Sequence, residues 1–136
     1  MENNEMNTLI ETSLVESLAS SSLSAREAAY APYSGFRVGA ALLAESGKIY
    51  IGCNFENASF GAGTCAERVA LGSAIAAGER RFRAICVSAE RIVTPCGICR
   101  QALSEFGDMV VFCQDTNRNM KRFTLSELLP EAFGLN

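Results

Sequence analysis

The stretch "TCAERVALGSAIAAG", residues 64–78, decides how the rest of the chain is laid out. From Cys65 to Ala77 it reads as a helix closed by Gly78, with the Thr64 hydroxyl placed to cap the first turn. A strand-like run, "RAICVSA" (83–89), comes next. "TPCGICRQALSEF" (94–106) then reads as a second helix, with Thr94 as cap, Pro95 at the first helical position and Gly107 as the stop. "MVVFC" (109–113) returns to strand character. Helix, strand, helix, strand is the rhythm of a layered α/β protein.

Upstream, "FGAGT" (60–64) is expected to be flexible. "FRVGAALLAE" and "KIYIGCNF" flank the tight "ESGK" and read as a hairpin. "YAPYSGF" punctuates the chain with Pro32 and Gly35. A first helix is expected from about Thr8 to Tyr30, where Ile10, Leu14 and Leu18 share a face, with a break possible at the serines 20–22. Downstream, Thr124 and Glu127 fit a capping box for a short helix in "LSELLP". The order α-β-β-α-β-α-β, followed by that short helix, predicts an α/β domain with helices on both faces of a mixed sheet.

With 136 residues, 49% hydrophobic and 20% charged, the chain is expected to form one domain over residues 1–136, the first eight being flexible. Its start, "MENNEMNTLIETS", lacks the order of a secretory signal, and a cytoplasmic, reducing setting is the default expectation. No apolar run approaches the roughly 20 residues that cross a bilayer. The net charge of −3 argues against a nucleic-acid partner, and the basic "GERRFRA" (78–84) reads as a solvated turn.

Six cysteines and no histidine make up the thiol and imidazole inventory. Cys53, Cys86 and Cys113 lie in apolar strand-like runs and are expected to pack as small hydrophobes. Cys65, Cys96 and Cys99 instead sit at expected helix starts. There the helix dipole and unpaired N–H groups favour the thiolate, which is the form that binds metal. Cys96 and Cys99 can grip one ion together, and Cys65 can supply a third sulfur. A structural zinc takes four protein ligands, whereas three leave a position for water. Glu67, in the same helical turn as Cys65, could serve that water as acid and base. A zinc with three thiolates carries about −1 charge, which Arg68 and two helix N-termini would offset. Taken alone, "PCGIC" also fits a redox dithiol or a structural zinc, and Glu67 alone fits a helix-terminal charge.

C-A-E followed by P-C-G-x-C is similar to the signature of the zinc-dependent cytidine deaminase superfamily. The chain resembles its small homotetrameric members through "YAPYSGFRVGAAL", "GCNFENAS", "TCAER", "TPCGICRQAL" and "LLPEAFG", in that order, over roughly residues 25–134. The resemblance implies a three-layer α-β-α fold with about five strands and one Zn2+ per subunit. It implies Cys65, Cys96 and Cys99 as zinc ligands and Glu67 as proton shuttle. Arg68 and Gln101 would bond to or neutralise the ligand sulfurs. Asn54 and Glu56 would take the ribose 3′-hydroxyl, the Ala66 N–H the pyrimidine carbonyl, and Phe36 would line the base pocket. Ala58 and Phe60 would border the sugar at the subunit interface, and Phe133 would stack on the base of a neighbouring subunit.

Phe60 stands where many relatives carry Tyr, so the hydrogen bond of that Tyr to the 5′-hydroxyl is lost. "FGAGTCAE" is also similar to blasticidin S deaminases, which lack the complete "NFEN" found here. The activity implied is deamination of cytidine and deoxycytidine in pyrimidine salvage, with a related nucleoside such as blasticidin S as the alternative. A nucleic-acid-editing deaminase would need a basic groove that the acidic balance does not suggest.

Overall fold

Two helix–strand crossings build the sheet of this computed structural model, which describes residues 9–135. Helix α1 (Thr12–Arg26) leads into the hairpin β1 (Gly39–Ala44) and β2 (Ile49–Cys53). Helix α2 (Ala66–Ala76) crosses to β3 (Phe82–Ser88), and α3 (Gly97–Ser104) crosses to β4 (Val110–Gln114). Strand β5 (Met120–Thr124) and the short α4 (Leu125–Leu128) complete the fold. The strand order is β2-β1-β3-β4-β5. Strands β3 and β4 run parallel because a helix joins them, while their neighbours pair antiparallel. The sheet is therefore mixed and five-stranded.

Alternate strand residues feed two cores. Ala40, Leu42, Ile85, Val87, Val111 and Cys113 face α2, α3 and α4. Ala41, Leu43, Ala84, Cys86, Val110 and Phe112 face Leu18 of α1. Burial on both sides explains why β1, β3 and β4 read as nearly continuous apolar runs. Gly52 sets how closely α2 approaches the sheet, because a Cβ there would collide with the Ala70 nitrogen and the Ala66 oxygen. Without a side chain, β2 admits the start of α2 against its backbone.

Several expectations shift. Helix α1 begins at Thr12, ends at Arg26 and runs unbroken through the serines. The Ser22 hydroxyl donates to the Ala19 carbonyl at 3.1 Å and lies 2.6 Å from Ser88 Oγ, so its polar group is satisfied inside the fold. Strand β5 escaped the apolar pattern because Lys121 and Arg122 are exposed, as suits a charged edge strand. "FGAGT" holds a single 3-10 turn, Phe60–Ala62. Cys86 and Cys113 are buried as expected, but Cys53 is only half-buried. In "GERRFRA", Arg80 and Arg81 are exposed, while Phe82 already starts β3. The capping box at Thr124 and Glu127 forms as read. The expectation for residues 1–8 lies outside the described residues. Among the described residues, no helix is long and apolar enough to cross a membrane.

Candidate active site

Cys65 and Cys96 are themselves the N-cap residues of α2 and α3, both with extended backbone. Thr64 and Thr94, expected from the sequence as the caps of these two helices, do other work. Thr64 pairs with Phe55 through two backbone bonds of 3.0 and 3.1 Å, and Thr94 Oγ1 accepts from Arg100 at 2.7 Å. Pro95 lies just before the helix, not at its first position. Each thiol thus sits where its helix presents unpaired amides and the positive end of its dipole.

The Sγ atoms of Cys65, Cys96 and Cys99 all lie within 4.8 Å of one another, and Cys65 and Cys96 are 3.8 Å apart. Tetrahedral zinc with Zn–S bonds of about 2.3 Å separates its sulfurs by about 3.8 Å, so these residues fit the ion. Arg68 spans two of the sulfurs, with Nε donating to Cys99 at 3.5 Å and Nη2 to Cys65 at 3.6 Å. The Cys65 thiol is pulled down to about 5 by its bond with Cys99, then by Arg68 and Cys96, against the cost of burial. Cys99 is pushed up, first by Cys65 and then by burial. The Arg68 guanidinium beside them is held in its charged form by the same two sulfurs, Cys99 first.

Glu67 is 4% exposed on the first turn of α2. Burial raises its carboxyl to about 7, the Cys65 thiolate adds to the rise, and its own backbone N–H and Arg68 oppose it. A helix-terminal charge in water would show neither the burial nor the shift. This carboxyl can hold or release a proton near neutrality.

A cavity of about 500 Å³ opens beside Cys65 and Arg68, its wall including Asn54, Glu56, Phe60 and Thr64. Isolated bridges pair Phe55 with Tyr30 and with Thr64, so Glu56 and Cys65 ride on neighbouring extended segments. Glu56 Oε1 accepts from the Tyr33 and Ser34 amides at 3.0 and 3.1 Å, and Oε2 accepts from the Ser34 hydroxyl. These bonds, that of the Ser34 hydroxyl foremost, hold Glu56 below the usual carboxylate range. Asn54 braces the same wall, accepting from the Val38 N–H at 2.8 Å and donating to the Phe36 carbonyl at 2.9 Å.

The other residues singled out by sequence divide. Ala66 is buried, and its amide falls among the unpaired donors of the first helical turn. Phe36 is half-buried outside the cavity wall, with the Arg91 guanidinium 4.7 Å from its ring centre. Phe60 is 83% exposed and meets Tyr33 edge-on at 6.3 Å, and Ala58 is exposed nearby in sequence. Gln101 donates to the Phe133 carbonyl at 3.0 Å, tying the tail to α3 instead of reaching a sulfur. The Phe133 ring is 73% exposed and lies outside the cavity wall. Sequence reasoning missed Ser34 and Arg91. A serine in "PYSGF" signals a turn, and nothing local reveals a partner 22 residues away.

Residues 12–114 match the family model for the cytidine and deoxycytidylate deaminase zinc-binding region. A cytidine deaminase of Sporosarcina psychrophila is 49% identical over 123 residues, spanning 88% of this chain and 90% of that one. A cytidine deaminase of Mycobacterium tuberculosis is 41% identical over 110 residues, covering 79% of this chain and 80% of its own length. Among solved structures, the cytidine deaminase of Burkholderia pseudomallei is similar with a TM-score of 0.83 and 46% identity, covering 87% of this chain and 98% of that one.

Proposed function

The chain belongs to the cytidine and deoxycytidylate deaminase family, and on that premise we propose that it is a zinc enzyme that hydrolyses cytidine and deoxycytidine to uridine and deoxyuridine with release of ammonia. The observation that carries this reading is the buried Glu67 carboxyl, raised to about 7, two residues after Cys65 and so in the same helical turn as one of three clustered sulfurs. Cys65, Cys96 and Cys99 would hold a zinc ion, whose Lewis acidity would bring the pKa of water toward ~7.

Glu67 accepts the proton of that water and delivers it to N3 of the pyrimidine, making C4 electrophilic. Water oxygen adds to C4, Glu67 takes the remaining proton of that oxygen and passes it to the amino group, and the C4–N bond breaks as the C4 carbonyl forms. Water enters and ammonia leaves, so the carboxylate ends as it began. Arg68 balances the negative charge of the sulfurs. The Ala66 amide is the donor for the pyrimidine carbonyl, and Glu56 accepts from the sugar 3′-hydroxyl. A 3′-hydroxyl contact does not read the 2′ position, which is why both sugars are substrates. The complete "NFEN", with its clamped Glu56, favours these nucleosides over blasticidin S.

Assembly is part of the reading. The outward Phe133 ring on a tail held by Gln101 suits donation to another chain's base pocket, in a homotetramer with shared sites. Exposed Tyr30, Ile51, Phe55, Phe60 and Ile98 offer apolar surface for such contacts. The described thiols are all free, in keeping with a reducing cytoplasm, and a nucleoside deaminase there would serve pyrimidine salvage. The zinc-loaded protein should release ammonia from cytidine and from deoxycytidine, and leave blasticidin S and single-stranded DNA essentially untouched. Zinc binding without ammonia release from either nucleoside would refute the proposal.

A further inference from the structure

Ser34 joins two parts of the pocket that are distant in sequence. Its hydroxyl donates to Glu56 Oε2 and accepts from the Phe36 N–H at 2.9 Å. Its own amide, with that of Tyr33, occupies Glu56 Oε1. An ionised carboxylate offers about four acceptor positions, and three are filled from the 33–34 turn. What remains is narrowly directed acceptor capacity on a side chain whose rotamer is fixed before substrate arrives. Gly35 makes the turn possible with a φ of 69°, its amide bonding back to the Ala31 carbonyl at 2.9 Å.

We infer that Ser34 is a positioning residue for sugar recognition: its hydroxyl aims the Glu56 carboxylate at the 3′-hydroxyl and fixes the spacing between Glu56 and Phe36. The inference rests on the reading that Glu56 takes the 3′-hydroxyl and goes beyond it by naming the group that makes this contact selective. A carboxylate on a free side chain would be ordered only on binding, at an entropic cost. One already clamped is ordered at folding, so the sugar contact shows in KM.

The test compares wild type, Ser34→Ala, Ser34→Thr, Glu56→Gln and the double variant Ser34→Ala/Glu56→Gln on cytidine and 3′-deoxycytidine, with zinc content measured throughout. Ser34→Ala should raise the cytidine KM roughly tenfold while kcat stays within about twofold and zinc is retained. Ser34→Thr should restore most of the affinity. On 3′-deoxycytidine, kcat/KM should fall by less than about twofold, because the aimed-at hydroxyl is missing. The double variant should be no worse on cytidine than Glu56→Gln alone, since both remove one interaction.

Penalties that multiply, equal losses on the two substrates, or loss of zinc in Ser34→Ala would each overturn the inference. Should Ser34→Ala fold poorly, the isosteric pair Ser34→Thr and Ser34→Val isolates the hydroxyl, and equal KM values for the two would overturn it as well. The outcomes also separate from the function itself. A wild type inert toward cytidine removes the underlying reading, whereas a KM effect of Glu56→Gln without one of Ser34→Ala sinks the role of Ser34 alone.

Discussion

Cys86, beneath α1, and Cys99, in the first turn of α3, are equally buried, each at 0% exposure. Cys86 sits in a neutral polar cluster with Ser22, Ser88 and Gln114, and burial keeps its thiol protonated and pushed up. Cys113, on the α2–α3 side but deep in β4, is pushed up to about 12 by burial. Cys65, near the same helices, is pulled down to about 5. Burial by itself therefore makes thiols inert on both faces. Reactivity arises where sulfurs crowd together at two helix starts under a guanidinium. Glu67 shows the converse, since the same enclosure that silences a structural thiol turns a carboxyl into a proton carrier.

The contrast between the two faces breaks most sharply at the metal. Cys96→Ala leaves two sulfurs, and metal content and turnover should both collapse, measured by elemental analysis and ammonia release. X-ray absorption of the intact protein should show three sulfurs and one oxygen, with about one zinc per chain. A four-sulfur shell would rule out an open coordination position.

Glu67→Gln comes next. It keeps shape and zinc but cannot accept a proton, so kcat should fall about 10⁴-fold or more. In metal-free protein the Glu67 carboxyl should titrate at about 7, visible by carbon NMR. Activity needs the ionised form and should be lost as pH falls through the Glu67 pKa.

A smaller effect is expected from the tail. Removing residues 131–136 should raise KM strongly and leave zinc in place. Mixing that chain with an intact-tailed Glu67→Gln chain should recover some activity. Mixed tetramers that stay inactive would rule out shared sites. The smallest effect on turnover belongs to the opposite face. Ser22→Ala should cost about 1–3 kcal/mol of stability by leaving buried partners unpaired, seen in chemical denaturation, with kcat and zinc unchanged.

The reactive side was the more legible in sequence. C-x-E and C-x-x-C lie on single helical turns, where spacing alone fixes which side chains can converge. Alternation and apolar runs likewise gave four strands and the helices between them. Thr64 and Thr94 do not cap, because Cys65 and Cys96 occupy those positions themselves, an outcome set by how Thr64 pairs with Phe55 and Arg100 reaches Thr94, whereas Thr124 caps its helix as its local spacing implies. Strand β5 was invisible because its charged residues point to water and its partner is β4, not a local pattern.

By itself, the sequence determined the inventory: three thiols at helix starts with no histidine beside them, a carboxylate two residues after the first, and a chain patterned for a two-faced sheet. Those are properties of short spacing and periodicity, which survive in one dimension. Only the tertiary structure decided that Arg68 reaches sulfurs on both helices, that burial lets Glu67 hold a proton, and that Glu56 is clamped by the turn at Ser34. Each depends on burial and on distances between groups remote along the chain, such as Arg68 and Cys99, 31 positions apart, and packing alone sets those.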